Sequence, residues 1–151
     1  MLSKQFLIKR KQCCGNGCLM CPYIPKHTKG SFKIMNRMGY ACINMQLSKQ
    51  KPRIYTGRSM IKRTFESKGI EYASELGLQN TKDLFEIIKW NNENGFDFFR
   101  ITSNLFPWCS EYKLEDMPDH WEIAGILGEI GKYVDEHQMR LTSHPGPFNV
   151  L

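Results

Sequence analysis

The amino-acid sequence predicts an α/β fold with a parallel sheet, because three strand-like segments alternate with two helical patterns. The strand-like segments are rich in apolar and aromatic residues and lie at about 34–44, 96–103 and 140–144. Strands that alternate with helices are usually parallel and joined by right-handed crossovers. The order therefore predicts either a small open sheet or the opening of a larger barrel.

The first helical region is expected to begin at about Ser59, after a polar loop, and its clearest part is NTKDLFEIIKWNNENG, residues 80–95. Asp83 stands near the start of this pattern, and Gly95 provides its end. One face repeats at helical spacing and consists of Leu84, Ile87, Ile88 and Asn91. This stripe predicts the surface that packs on the sheet.

The second helix is predicted over residues 119–138, after a long loop that contains Pro107 and Pro118. Asp119 is a favourable N-cap residue for this helix. An apolar stripe again follows helical spacing, and it consists of Ile123, Ile126, Leu127, Ile130 and Val134.

Composition indicates a globular protein of one ordinary domain and a tail. The chain has 151 residues, of which 41% are hydrophobic and 24% charged. No apolar run approaches the ~20 residues that span a membrane. The segment QFLIKRK near the start is too short for the ~7–15 apolar residues of a secretory signal. We therefore expect an intracellular protein whose six cysteines are reduced or metal-bound and not disulfide-bonded.

The net charge of +6 is concentrated at the beginning of the chain, which predicts a division into a module over residues 1–31 and a larger domain over residues 32–151. The module holds six Lys or Arg and no Asp or Glu, whereas the domain holds 15 of each sign. A localised basic segment favours a polyanionic partner such as nucleic acid. The alternative is a solvated, disordered arm.

A cysteine cluster lies within the basic module and consists of Cys13, Cys14, Cys18 and Cys21. Four thiolates within nine residues favour Zn²⁺ or an iron–sulfur cluster. The segment also resembles short Cys-rich modules described as oxidoreductase-like. We interpret it as a zinc-stapled DNA-binding appendage, with a flexible reduced tail as the alternative.

The spacing Cys14-x3-Cys18-x2-Cys21 also permits a different class of enzyme, because radical S-adenosylmethionine enzymes hold a [4Fe–4S] cluster with this spacing. Two features disfavour that interpretation. Met20 occupies the position before the last cysteine, where those enzymes have an aromatic residue, and the cluster precedes the first predicted strand. Brown, anaerobically purified protein would support the iron–sulfur alternative.

Polar and aromatic residues follow each predicted strand, at the positions where parallel α/β folds place their chemistry. Tyr40 and Asn44 end the first strand and His144 ends the third. Glu111 lies in the loop after the second strand and is either a surface carboxylate or an oxygen ligand suited to Mn²⁺ or Mg²⁺. His144 is a candidate metal ligand, general base or structural residue. Tyr40 and Phe148 at neighbouring strand ends are candidates for a base-stacking platform.

Residues 37–151 resemble the amino-terminal half of the ultraviolet damage endonucleases. The matching segments, in order, are RMGYACINM, KRTF, NTKDLFEIIKWNNENGFDFFRITSNLFPW and RLTSHPGPFNVL. The resemblance implies the amino-terminal part of a (β/α)8 barrel, with about three β/α units. It further implies an enzyme that nicks damaged double-stranded DNA 5′ to a photoproduct, with a cluster of divalent metals, commonly manganese.

The resemblance also implies roles for particular residues. The histidine of the family's His-Pro-Gly segment is a metal ligand and falls on His144, and the pair that probes the damaged bases falls on Pro147 and Phe148. The tyrosine and asparagine near the lesion fall on Tyr40 and Asn44. Two positions depart from the family. Glu111 replaces a ligand histidine, and Pro147 replaces a glutamine.

The length raises a further expectation, because a (β/α)8 barrel typically needs ~250 residues. Residues 37–151 supply about three of the eight strands, so we expect the chain to be a truncated amino-terminal part that lacks most of the family's metal ligands. The alternative is a DNA-binding remnant with no nuclease activity.

Overall fold

Three parallel strands and two long helices make up the part of the chain that the structure, a computed structural model, describes, which is residues 37–143. The strands are β1 (Gly39–Ala41), β2 (Phe98–Ile101) and β3 (Arg140–Ser143). The helices are α1 (Lys62–Glu93), between β1 and β2, and α2 (His120–Glu136), between β2 and β3. Short 3-10 turns lie at Leu47–Lys49 and Leu114–Asp116. The predicted element order is confirmed.

The sheet has the order β1-β2-β3, and both neighbouring pairs are parallel. Tyr40 lies beside Phe99, and Phe99 lies beside Leu141, so these three side chains share one face. That face packs on the helices, because Phe99 is fully buried in one core cluster with the predicted α1 stripe. Leu84, Ile87, Ile88 and Asn91 are all completely buried, as expected.

The first strand is much shorter than the predicted range of about 34–44. Cys42 ends β1, because its φ of 64° lies in the left-handed region that non-glycine residues rarely adopt. Its backbone N–H still donates to the carbonyl oxygen of Arg100 at 2.8 Å. Asn44 therefore belongs to the loop after β1, and residues 34–36 lie outside the described residues.

Helix α1 begins at Lys62 and not at Ser59, and a break at Gly69 divides it (φ 68°, ψ −159°). Asp83 consequently lies inside the helix, where it is buried, and the prediction that it stands near the helix start is wrong. The helix ends as predicted, since Gly95 follows with a φ of 76°.

Asp119 precedes α2 as predicted, but its side chain caps no backbone N–H of that helix. Instead, Oδ2 of Asp119 accepts a hydrogen bond from the hydroxyl of Ser74 on α1 at 2.7 Å. The Asp119 backbone N–H donates to the same hydroxyl oxygen at 3.0 Å. The N-cap residue therefore joins α2 to α1. Among the described residues, neither helix is apolar over a stretch long enough to cross a bilayer.

Candidate functional site

Two long loops leave the carboxyl ends of the strands and meet at one edge of the sheet, which we call the carboxyl edge. The first loop, residues 42–61, follows β1, and the second, residues 102–119, follows β2. Because the strands are parallel, both loops and the end of β3 lie at this edge. Ligand and catalytic groups of parallel α/β folds collect there. The described candidates Tyr40, Asn44 and Glu111 all lie at or near the carboxyl edge.

Tyr40 and Asn44, which were predicted to lie near a DNA lesion, are in direct contact. Nδ2 of Asn44 donates a hydrogen bond to the Tyr40 hydroxyl oxygen at 2.6 Å. The Tyr40 hydroxyl in turn donates to Oδ1 of Asn91 on α1. The Tyr40 ring packs edge-on against Phe96 and Phe99, with ring centroids 5.5 and 5.2 Å away. The side chain thus occupies the helix-covered face of the sheet.

Asn44 holds the loop after β1 in place. It is only 3% exposed, and its Oδ1 accepts the backbone N–H groups of Gln46 and Leu47, both at 3.0 Å. Burial raises the pKa of Tyr40 above its ordinary value of 10.0, and the hydrogen bonds to Asn44 and Asn91 oppose that rise. Tyr40 is therefore a neutral hydroxyl at physiological pH, and it acts as a hydrogen-bonding group between β1 and α1.

An open groove of about 300 Å³ borders Tyr40 and Asn44. Its wall is largely apolar and includes Ile43, Met45, Trp90 and Phe96. Ile43 and Met45 are 50% and 62% exposed, so this wall of the groove presents apolar surface to solvent. The groove borders Tyr40 and Asn44, although Asn44 itself remains almost wholly buried.

Replacing Tyr40 with phenylalanine is expected to lower the free energy of unfolding by about 1–3 kcal/mol, because the buried amides of Asn44 and Asn91 lose their partner. Nδ2 of Asn91 already has no hydrogen-bond partner within the described structure. Urea unfolding of the two proteins measures the difference. Tyr72→Phe is the control, since the described residues offer its hydroxyl no hydrogen bond, and its expected change is within about 0.5 kcal/mol. Equal midpoints for the two variants would contradict the structural role of Tyr40.

Aromatic side chains join the two loops of the carboxyl edge. Trp108 stacks on Phe65 near the start of α1, with ring centroids 5.7 Å apart and planes 12° from parallel. Its Nε1 donates to the carbonyl oxygen of Met60 at 3.0 Å. Tyr112 donates its hydroxyl to the carbonyl oxygen of Pro107. Burial, and next the Cys109 thiol, raise the pKa of Tyr112 to about 12, so this donor stays protonated in the working pH range.

Asn80, which was not among the predicted site residues, fixes both loops to α1. Its Oδ1 accepts the backbone N–H of Arg58 at 3.1 Å. Its Nδ2 donates to the carbonyl oxygens of Arg58 and Leu105, both at 3.0 Å. Asn80 lies one helical turn before Leu84, on the same buried face of α1. A polar side chain on such a face needs hydrogen-bond partners. This spacing is the feature of the sequence that could have predicted its role.

Asp83 and Arg58 form a nearly buried ion pair beneath the first loop, with Oδ2 and Nη1 2.7 Å apart. Oδ2 also accepts the backbone N–H of Tyr55 at 2.9 Å, and Oδ1 accepts Nε2 of Gln79 at 2.8 Å. Arg58 donates to the carbonyl oxygens of Tyr55 and Arg53, at 2.6 and 3.1 Å. These bonds give the loop a fixed path across the carboxyl edge.

Glu111, the predicted metal ligand of the second loop, is exposed at the carboxyl edge. Its backbone N–H donates to Trp108 at 2.9 Å, and its Oε1 accepts the Ser110 hydroxyl at 3.4 Å. Within residues 37–143, no three His, Cys, Asp or Glu side chains are grouped closely enough to hold a metal ion. The other predicted site residues lie outside the described residues, and they are His144, Pro147, Phe148, Cys13, Cys14, Cys18 and Cys21.

Comparison with protein-family models matches residues 36–151 to the UV-endonuclease UvdE family. Residues 1–29 match a second family, of unknown function (DUF5522). The second match covers the region of the predicted Cys-rich module and assigns it no activity.

Proteins that resemble this chain in sequence are named as UV-damage endonucleases. A UV-damage endonuclease of Schizosaccharomyces pombe is 37% identical over 119 residues, which cover 76% of this chain and 19% of that protein. A putative UV-damage endonuclease of Acanthamoeba polyphaga mimivirus is 40% identical over 113 residues, which cover 74% of this chain and 34% of that protein. The chain thus spans between about a fifth and a third of the length of these relatives.

The crystal structure of SacUVDE superposes on this chain with a TM-score of 0.59 and 27% sequence identity, over 76% of this chain and 36% of that one. The three parallel strands and their two crossover helices match the amino-terminal part of a (β/α)8 barrel. The predicted fold class is confirmed for the described residues.

Proposed function

The chain belongs to the UV-endonuclease UvdE family, and from that premise we propose that it functions in a UV-damage endonuclease. Such an enzyme hydrolyses a phosphodiester bond of double-stranded DNA 5′ to a photoproduct, as a step of excision repair inside the cell. The observation that supports this most strongly is the match of the family model to residues 36–151. The two loops fixed at the carboxyl edge also suit an active site in such a fold.

The family is metal-dependent, and we propose Mn²⁺ as the metal, with Glu111 and His144 among its ligands. Glu111 suits this role in two respects, since its side chain is exposed at the carboxyl edge and the only hydrogen bond described for its carboxylate is long. The described residues alone do not make a metal site, however, because they group no three potential ligands. Further ligands must therefore come from outside residues 37–143.

For the lesion we propose contacts with Tyr40, Asn44, Pro147 and Phe148. Tyr40 and Asn44 are held in one hydrogen-bonded network, and the apolar groove that adjoins them would receive the distorted bases. Extrusion of bases costs less where their stacking is already weakened by damage. A fixed groove would favour such bases over normally stacked ones.

For residues 1–31 we propose a separate basic module that holds Zn²⁺, or an iron–sulfur cluster, through Cys13, Cys14, Cys18 and Cys21. Four cysteine thiolates make up a complete tetrahedral zinc site. Elemental analysis of the purified chain distinguishes the two metals. One zinc per chain that is lost in the Cys18→Ser variant is the expected result.

Nicking of ultraviolet-irradiated supercoiled plasmid in the presence of Mn²⁺ tests the proposed function. With the remainder of the barrel supplied alongside this chain, we expect relaxed circles from irradiated plasmid, few from unirradiated plasmid and none with a chelator. Glu111→Gln is expected to reduce nicking by at least tenfold, whereas Glu115→Gln, also exposed in the second loop, should leave it unchanged. Retained DNA binding without any nicking would favour the alternative of an inactive DNA-binding protein.

A further inference from the structure

The acid-free part of the chain does not end with the basic module but continues through the first loop of the carboxyl edge. The first acidic residue of the whole sequence is Glu66. Residues 1–65 hold 14 Lys or Arg and no Asp or Glu, whereas residues 66–151 hold 7 Lys or Arg and 15 Asp or Glu. The excess positive charge of the chain therefore lies on residues 1–65, which precede α1 and form its first turn. The excess negative charge lies on residues 66–151.

Not every cation of this segment is available to a partner. Arg58 is largely buried and paired with Asp83, and Lys62 lies 3.8 Å from Glu66. Four other cations are exposed, and no carboxylate of the described residues lies within 4.0 Å of them. We call them the basic arc, which consists of Lys49, Lys51, Arg53 and Arg63.

Three members of the basic arc lie on the first loop of the carboxyl edge, which is held by hydrogen bonds to α1 and to the second loop, and the fourth, Arg63, lies in the first turn of α1. Asp83 and Asn80 bind the backbone at Tyr55 and Arg58, and Trp108 binds it at Met60. The guanidinium groups of Arg53 and Arg58 lie 4.1 and 4.4 Å from the ring centroid of Tyr55. A loop fixed in this way loses little conformational freedom on binding, which favours affinity.

We propose that the basic arc binds the phosphate backbone of duplex DNA and so positions it at the carboxyl edge. This inference rests on the proposed function, and it adds a sequence-independent contact surface that is separate from the lesion and metal residues. Phosphate contacts of Lys and Arg release counterions, and they fix the position of a protein on the duplex without reading its sequence. Residues 66–151 hold 7 Lys or Arg against 15 Asp or Glu, so the electrostatic attraction of the chain to the duplex comes mainly from residues 1–65.

The test is equilibrium binding of the full chain to an undamaged duplex, without divalent metal, over a series of salt concentrations. The variant is Lys49→Gln/Lys51→Gln, because neither side chain makes a hydrogen bond or ion pair within the described structure. The control is Lys89→Gln/Lys132→Gln, which removes the same charge and differs from the variant in that Lys89 is paired with Glu86. Both control residues lie towards the carboxyl ends of their helices, at the opposite edge of the sheet.

We expect the variant to bind the duplex about tenfold more weakly at 0.2 M salt. The slope of log association constant against log salt concentration should become less steep by about 2, one unit for each lost phosphate contact. The control should keep the affinity and slope of the original chain. Equal losses in variant and control would overturn the inference, because they would show a response to net charge alone. Unchanged binding by the variant would also overturn it.

The outcome for the basic arc is separable from that for the proposed function. Two results together would overturn the DNA-binding role of the basic arc and still support the endonuclease activity. They are unchanged duplex binding by the variant and metal-dependent nicking of irradiated plasmid by the unsubstituted protein. Salt-sensitive binding that depends on Lys49 and Lys51, without any nicking when the remainder of the barrel is also supplied, supports the arc and contradicts the proposed activity. Binding to phosphatidylserine vesicles but not to the duplex would overturn the arc in favour of a membrane surface.

Discussion

Asp83→Ala is expected to lower the free energy of unfolding by about 3–5 kcal/mol, the range typical of removing one partner from a buried ion pair. The variant leaves the Arg58 guanidinium, 18% exposed, without its carboxylate. It also removes the acceptor for the backbone N–H of Tyr55 and for Gln79. The guanidinium of Arg58, the backbone N–H of Tyr55 and the amide of Gln79 therefore lose the carboxylate that accepts from them. Urea unfolding followed by circular dichroism measures the change in the free energy of unfolding.

Glu86→Ala provides the matched control for Asp83, because it removes a carboxylate three residues further along the same helix. Its partner Lys89 lies 3.0 Å away, but both side chains are well exposed, so the expected loss is below about 1 kcal/mol. The double variant Arg58→Met/Asp83→Leu should be more stable than Asp83→Ala, because it leaves no buried charge unpaired. Losses of similar size for Asp83→Ala and Glu86→Ala would contradict the buried role of Asp83.

The arrangement of the fold could be predicted from the sequence because it depends on periodic apolar residues. Leu84, Ile87 and Ile88 repeat at helical spacing whatever they pack against, and Phe99 lies within a short apolar segment. Such patterns decide which elements form and which faces are buried. The end of β1 followed no such pattern, since it depends on the left-handed backbone of Cys42, for which the sequence gives no signal.

The candidate site was predicted less completely, because its polar contacts join residues that are far apart in the chain. The position of Tyr40 and Asn44 near the carboxyl edge followed from the strand order, but the hydrogen-bond network that holds them includes Asn91, 51 residues after Tyr40. Asp83 was interpreted from its neighbours as a residue of the helix start. Its actual partner is Arg58, in a loop whose path no local pattern predicts.

Gly39→Ala is expected to lower the free energy of unfolding by about 3 kcal/mol, the upper end of the usual cost of overpacking. A Cβ atom at this position would lie 1.8 Å from the carbonyl oxygen and 2.5 Å from the carbonyl carbon of Phe98. Both are backbone atoms of the neighbouring strand, so no side-chain rotation relieves the clash. The strands β1 and β2 must separate, and β1 has only three residues with which to hold its position.

Gly57→Ala is the control for Gly39→Ala, because its added Cβ would meet only the Tyr55 ring at 3.9 Å, and its expected effect on unfolding is within about 0.5 kcal/mol. A separation of β1 from β2 also moves Tyr40 and the first residues of the loop that follows. Gly39→Ala should therefore reduce nicking of irradiated plasmid even at a temperature where the variant remains folded, whereas Gly57→Ala should not. Nicking that falls only in proportion to the folded fraction would show that the position of β1 matters for stability alone. A larger loss would show that the close approach of Gly39 to β2 sets the geometry of the carboxyl edge.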